Sequence, residues 1–406
     1  MRLLHTSDWH LGHTLKDVSR EYEHRSFLAW LLEACVREAP DALVITGDVF
    51  DSATPPASAE TMWFSFLAAA RRARPAMDIV AIAGNHDSPA RLGAASAVLR
   101  ELDVHVIGGV PRTHEGALDL DRILIPVAGG RGLVAAVPFV RPIDVPADVD
   151  DPLASIYGEV IEAARARRQA GQALIALGHL YVAGADSAML SERRVSIGGQ
   201  ESASARMFPA DLDYVALGHI HRAQRIGRDT MRYAGAPIPL ALEEAAYKHS
   251  VVVVDLGGDA ASIRLLPIPR AIPILRVPKR GAAPIEEVLA AIAMLDPRGD
   301  ADDQARPYLE VVVALERPEP RLRTTVEAAM EGKAARLVAL HVEHTGDRAA
   351  LGDGVAQRRL AELDPRDVFV RLWARDHVEP PGEAIVAAFE RLLAEVRGDV
   401  GDLEAS

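Results

Sequence analysis

Residues 78–87 read DIVAIAGNHD, a short run rich in β-branched residues that closes on a glycine and then on an amide, an imidazole and a carboxylate. The same grammar stands upstream in residues 42–51, ALVITGDVFD, and at the amino end in residues 2–10, RLLHTSDWH. Longer segments of helical periodicity separate these runs. Phe27, Leu28, Leu31, Leu32 and Cys35 recur at three- and four-residue steps, which gives one apolar face to lay on a sheet. Residues 2–6, 22–37, 42–46, 58–74 and 78–83 therefore read as strand, helix, strand, helix, strand.

Further strands are predicted over residues 123–127, 133–139, 173–178, 213–218 and 250–256, with a helix over 153–169. Many strands with helices between them imply an α/β sandwich or layered sheet. Pro267, Pro269 and Pro273 then punctuate the chain and mark a domain boundary. Beyond them the pattern restarts as a small α/β domain, with strands at 272–277, 308–315 and 337–342 and helices at 285–293 and 322–330. Two amphipathic stretches, 368–374 and 383–397, come next; in the second, Ile385, Phe389, Leu392, Leu393 and Val396 share a face. The expected division is 1–270, 271–350 and a helical segment at 364–398.

A length of 406 residues suits two or three domains at roughly 150 residues each. The single cysteine, Cys35, cannot form an internal disulfide, and its place on the apolar face of a helix makes it a small core residue. His5, Asp8 and His10 interrupt the run that an export signal would need, and no stretch of about 18 apolar residues occurs. A cytoplasmic protein is expected, with no membrane partner. Acidic residues outnumber basic ones by 58 to 45, so the net charge of -13 repels phosphate polymers as a bulk field. Any grip on nucleic acid needs a local or external source of positive charge.

Five segments place metal-binding side chains just after an apolar run: Asp8-Trp9-His10, Gly47-Asp48-Val49-Phe50-Asp51, Gly84-Asn85-His86-Asp87, Gly178-His179 and Gly218-His219-Ile220-His221. Loops at the carboxyl ends of strands converge on one edge of an α/β sheet, so ligands far apart in sequence can meet there. The glycines are expected to let the backbone turn sharply as it leaves each strand. Mixed oxygen and nitrogen donors suit manganese, iron or zinc, and there are enough of them for two ions. One shared carboxylate can hold two ions about 3.5–4 Å apart, the spacing that clamps an in-line displacement at phosphorus. His5, His24, His105, His114, His249, His341, His344 and His377 fit none of the five segments and are read as core or surface residues.

This order of segments resembles the calcineurin-like metallophosphoesterases, whose pattern is D-x-H, G-D-x-x-D, G-N-H-D or G-N-H-E, G-H, then G-H-x-H. Within that superfamily the chain is similar to the SbcD family, the nuclease subunit of the bacterial SbcC–SbcD complex. The likeness is carried by HTSDWHLGHTLKDVSREYEHRSFLAWLL at 5–32, GDVFDSATPP at 47–56, GNHDSPARL at 84–92 and SERRVSIGGQE at 191–201. It extends more loosely to the cap and to DPRDVF at 364–369.

The resemblance implies a layered β-sandwich flanked by helices, with a smaller α/β cap. It makes Asp8, His10 and His221 ligands of one ion and Asn85, His179 and His219 ligands of the other, with Asp48 bridging. His86 would then face the scissile phosphate, and Asp87 would orient the His86 ring. It further implies two divalent ions with manganese favoured, attack by a bridging hydroxide, and 3′ to 5′ exonuclease and hairpin endonuclease activity on double-stranded DNA ends. The implied partner is an SbcC-like coiled-coil ATPase holding a homodimer within a heterotetramer, and the terminal amphipathic stretches are read either as its docking element or as helices packed on the cap domain. Arg193 and Arg194 are read as solvated surface. Two alternatives stay open: a small-molecule phosphoesterase of the same superfamily, and a scaffold that keeps the fold without catalysis. The extra domain after Pro273 speaks against the first, and the retention of every ligand position against the second.

Overall fold

The computed structural model describes residues 1–145, 149, 151–186, 202–257, 261–299 and 302–345, together with 369, 373, 381, 382, 385, 386, 388 and 389. The chain forms two compact units, Met1–Glu343 and His344–Ser406.

The first unit is built on two six-stranded sheets. One runs in the order Ser262–Pro267, Ser250–Asp255, Arg2–Thr6, Ala42–Thr46, Asp78–Ile82, Val104–Ile107. The other runs Gln224–Ile226, Arg228–Tyr233, Tyr214–Gly218, Ala173–His179, Gly132–Ala136, Leu124–Val127. Leu3, Val44, Val80 and Ile82 from the first sheet share one buried cluster with Ile175, Leu177, Tyr214 and Ala216 from the second. The sheets therefore pack face to face, and alternate side chains of each strand supply that interface. The opposite face of the first sheet is covered by helices Glu21–Glu38 and Ala57–Ala73, through Phe27, Leu31, Trp63 and Phe66. Helix Pro152–Arg167 covers the second through Ile156, Tyr157 and Val160. Burial on both faces explains why the central strands are apolar throughout.

Parallel pairing matches Thr6 with Ile45 and Thr46 with Ile82 in the first sheet, and His179 with Gly218 in the second. The strand ends that feed the five polar segments thus stop level with one another at one edge of the sandwich.

The predicted inner strands all appear, with ends moved by a few residues; strand 133–139 is shorter, stopping at Ala136. Periodicity misses the edge strands Val104–Ile107, Gln224–Ile226 and Ser262–Pro267, the strand Arg228–Tyr233 next to an edge, and the small hairpin Thr14–Leu15/Val18–Ser19. Strands at or next to a sheet edge are half solvated here, so RDTMRY and SIRLLP lack the apolar signature of a central strand.

After the prolines, Ile274–Val277, Tyr308–Leu315 and Arg336–His344 form a three-stranded sheet against helices Ile285–Ala293 and Leu322–Ala329. Val288, Ile292, Leu309, Val311, Val313 and Val326 form its core. This small domain lies in the same compact unit as the sandwich, joined through Ile272, Tyr308 and Ala339, which pack with Leu15 and Leu242.

In the second unit Phe369 stacks on Phe389 with ring centroids 4.3 Å apart, and Trp373 lies 6.1 Å from Phe369. Apart from the residues named above as described, the expected 364–398 helical segment lies outside the described residues, as does the 191–201 segment with Arg193 and Arg194.

Candidate metal centre

All five polar segments meet at the level edge of the sandwich. The ligand atoms of Asp8, His10 and His221 lie within 4.8 Å of one another, and so do those of Asp48, His179 and His219. Asn85 joins the second group, its Oδ1 3.0 Å from His179 Nε2 and 2.9 Å from His219 Nδ1. Asp48 lies between the groups: Oδ2 is 3.4 Å from His179 Nε2 and 3.5 Å from His10 Nε2. Its other oxygen accepts the backbone N–H of His86 at 2.8 Å. The seven residues named from sequence as ligands are thus brought together in two groups that share a carboxylate.

The donor set fits cations. His10 Nε2 is buried with no hydrogen-bond partner, a cost that coordination would remove. Atoms each about 2.1 Å from one ion lie roughly 3 to 3.4 Å apart, close to the spacings seen here. Three of the four imidazoles are aimed by their other nitrogen. His10 Nδ1 lies 3.1 Å from Asp51 Oδ1, His179 Nδ1 2.8 Å from the Thr46 carbonyl and His221 Nδ1 2.9 Å from Glu244 Oε1. Such contacts hold the ring and the tautomer of a metal ligand.

Charge is balanced within the cluster. Burial works against ionising Asp48, but the imidazoles of His179 and His10 outweigh it and hold the carboxyl well below its ordinary value. Burial lowers the His179 pKa, yet the Asp48 charge reverses this and raises it to about 9. His219 is pushed down to about 3 by burial and then by the charge of His179. One proton is therefore held on His179 in the absence of a cation, and a cation would take its place opposite Asp48.

The backbone is bent to make this cluster. Asp8, His10, Asp48 and His219 have φ of 53°, 47°, 49° and 101°, a region that side chains with a Cβ seldom occupy and that concentrates at functional sites. The expectation that glycines do the turning holds at Gly47, with φ of 94°, and is corrected at Gly84 and Gly218. There the absent side chain makes room instead: a Cβ on Gly84 would stand 2.1 Å from Asp48 Oδ1, and one on Gly218 1.9 Å from the Thr46 carbonyl.

His86 is half-buried beside the cluster, its ring centroid 4.8 Å from that of His10. Its Nδ1 lies 2.7 Å from the Asp51 carbonyl, which leaves Nε2 free of that anchor. The expected role of Asp87 needs correction. Its carboxylate accepts the backbone N–H groups of Gly84, Val49 and Phe50, at 2.9, 3.1 and 2.9 Å; it ties two ligand loops together, while the Asp51 carbonyl orients the His86 ring. Burial and the nearby Asp48 charge raise the Asp87 pKa to about 6, against the pull of those three N–H groups.

Sequence reasoning missed Asp51 as the support of His10 and Glu244 as the support of His221. Asp51 stands in the quoted GDVFD segment, so its signal was present. Glu244 lies in LEEAAY, a polar stretch with nothing to distinguish it.

The sandwich and its paired donor groups define a calcineurin-like phosphoesterase, and residues 1–223 match the model of the calcineurin-like phosphoesterase family. Residues 270–377 match the Type 5 capsule protein repressor C-terminal domain. The chain is 42% identical over 362 residues to the SbcD subunit of nuclease SbcCD from Rhodobacter capsulatus, covering 84% of this chain and 87% of that protein. To its counterpart in Bacillus subtilis it is 40% identical over 268 residues, 63% and 66% of the two chains. To that of Escherichia coli K12 it is 29% identical over 402 residues, covering 93% and 94%. The chain belongs to the SbcD family of these phosphoesterases. No described helix is long and apolar enough to cross a membrane.

Proposed function

We propose that this chain is the nuclease subunit of an SbcC–SbcD type complex that hydrolyses DNA phosphodiester bonds with two divalent cations, manganese favoured. The observation that carries the reading is Asp48 Oδ2, 3.4 Å from His179 in one ligand group and 3.5 Å from His10 in the other. Asp8, His10 and His221 would hold one cation, Asn85, His179 and His219 the other, and Asp48 both. Bound there, such cations supply acidified water and neutralise charge on the attacking and leaving oxygens.

The chain itself supplies the rest. Asp51 and Glu244 keep imidazole nitrogens turned into the centre. His86, anchored through Nδ1, offers Nε2 to a phosphate oxygen and donates a hydrogen bond or proton as negative charge builds there. The only cysteine, Cys35, is buried in the core with its thiol pushed up to about 12 by burial, which removes it as a nucleophile.

A net charge of -13 opposes a duplex. Much of the DNA grip is therefore assigned to an SbcC-like coiled-coil ATPase, with residues 364–398 as its docking element, 271–350 as the cap and the cytoplasm as the compartment. Exonuclease action from 3′ to 5′, hairpin opening and a homodimer within a heterotetramer complete the reading. Incubation of the purified chain with Mn2+ and an end-labelled hairpin, with and without the ATPase, tests it. Cleavage of the hairpin is expected; cleavage of a generic phosphodiester but never of DNA would favour a small-molecule phosphoesterase.

A further inference from the structure

We propose that Tyr308, in the small three-stranded sheet, positions His221 in the metal centre through a buried polar chain, so that seating of the cap and cation affinity are coupled. The proposal rests on the reading of His221 as a ligand.

The chain can be followed bond by bond. The Tyr308 hydroxyl donates to Glu23 Oε2 at 2.8 Å. Both oxygens of Glu23 accept from the Arg20 guanidinium, Oε1 from Nη2 at 2.8 Å and Oε2 from Nε. The remaining guanidinium nitrogen, Nη1, donates to the Pro239 carbonyl at 2.7 Å. That carbonyl and the Leu240 N–H belong to one planar peptide unit, and the N–H donates to Glu244 Oε2 at 2.8 Å. Glu244 Oε1 then lies 2.9 Å from His221 Nδ1. Tyr308, Arg20 and Glu244 are 0% exposed and Glu23 2%, so water offers these groups no substitute partner.

Packing follows the same route. Tyr308 and Ile272 of the cap share a buried cluster with Leu242, two residues before Glu244, and with Leu15 of the hairpin that leads from His10 to Arg20. Arg20 and Arg336 each place a guanidinium carbon 5.3 Å from the Tyr308 ring centroid. A shift of the strand that carries Tyr308 must therefore move Glu23 and Arg20, or leave a buried carboxylate and guanidinium short of a partner. Because the Pro239–Leu240 unit is rigid, motion at its carbonyl is motion at its N–H. A simpler role for these residues is to staple the cap to the sandwich; that role predicts lost stability but no effect on cation binding that depends on Glu244.

Mn2+ titration by calorimetry on the full chain separates the two, using Tyr308→Phe, Glu244→Gln, the double variant and Arg20→Lys. Glu244→Gln should weaken one of two Mn2+ sites about 10–100-fold, the usual loss when the support of a metal ligand is removed. Tyr308→Phe should weaken the same site several-fold, and the double variant should be no weaker than Glu244→Gln alone, since both act along one chain. Arg20→Lys, which keeps the charge but loses the fork, should do the same and serves if Tyr308→Phe does not fold. Wild-type Mn2+ affinity in folded Tyr308→Phe and Arg20→Lys, or losses that simply add to those of Glu244→Gln, would overturn the coupling. If His221→Ala also binds Mn2+ like the wild type, the ligand reading itself has failed.

Discussion

The carboxylate of Asp87 accepts the backbone N–H of Gly84 at 2.9 Å, so the loop that carries Asn85 and His86 is closed by its own last residue. The same carboxylate reaches across to Val49 and Phe50, the two residues after Asp48. Asp87→Asn puts an amide NH2 where three N–H groups converge. The expected loss is about 1–3 kcal/mol of stability, the cost of leaving buried donors unpaired, read by urea unfolding. A fall in kcat with stability intact would instead restore Asp87 as the residue that orients the His86 ring.

His86 and Asp48 separate binding from chemistry. His86→Gln should keep the metal content of the wild type and lower kcat by about 10²–10⁴, the usual contribution of a positioned acid. Asp48→Ala should lose both. Metal analysis of the two purified variants beside a hydrolysis assay checks this, and full activity in either would refute the assigned roles.

Gly218→Ala forces a Cβ to within 1.9 Å of the Thr46 carbonyl and 2.2 Å of Ser7 Oγ. Because Thr46 ends a strand of the facing sheet and Ser7 Oγ donates to its carbonyl, the sheets must part, at a cost of about 1–3 kcal/mol. The Thr46 carbonyl also holds His179 Nδ1, so a lower urea midpoint should be accompanied by weaker Mn2+ binding.

His24 is fully buried with no hydrogen-bond partner on either ring nitrogen, and burial followed by the charge of Arg20 lowers its pKa to about 3. The unfolded chain takes up that proton near pH 6.5 and the folded chain does not. The stability it contributes is complete above pH 6.5 and falls between 6.5 and 3, by about 1.4 kcal/mol per pH unit for one proton. Asp87 and His179, whose pKa values are raised, pull the other way. The difference in urea midpoint between wild type and His24→Met isolates the effect: the variant should gain on the wild type as pH drops from 7.5 to 5. A constant difference would show that His24 does not titrate in this way.

The gathering of these polar side chains was legible before any coordinates because each ends or follows an apolar strand, and parallel strands must deliver the residues at and beyond their carboxyl ends to one edge. Inner strands and covering helices were legible for a related reason, since burial on a fixed face leaves a period in the sequence. Edge strands such as Ser262–Pro267 leave no such period. Nor did the supports of the site. Glu244 reaches His221 across 23 residues and Tyr308 reaches Glu23 across 285, and a hydrogen bond between distant residues imposes no spacing on either. Asp87 shows the limit most sharply. Its place beside His86 suggested a partner for that ring, but the loop turns it inward to the backbone. Residue order alone settled which polar side chains would share one edge. Which oxygen aims each imidazole was left to the packed molecule, because that depends on side chains meeting through space.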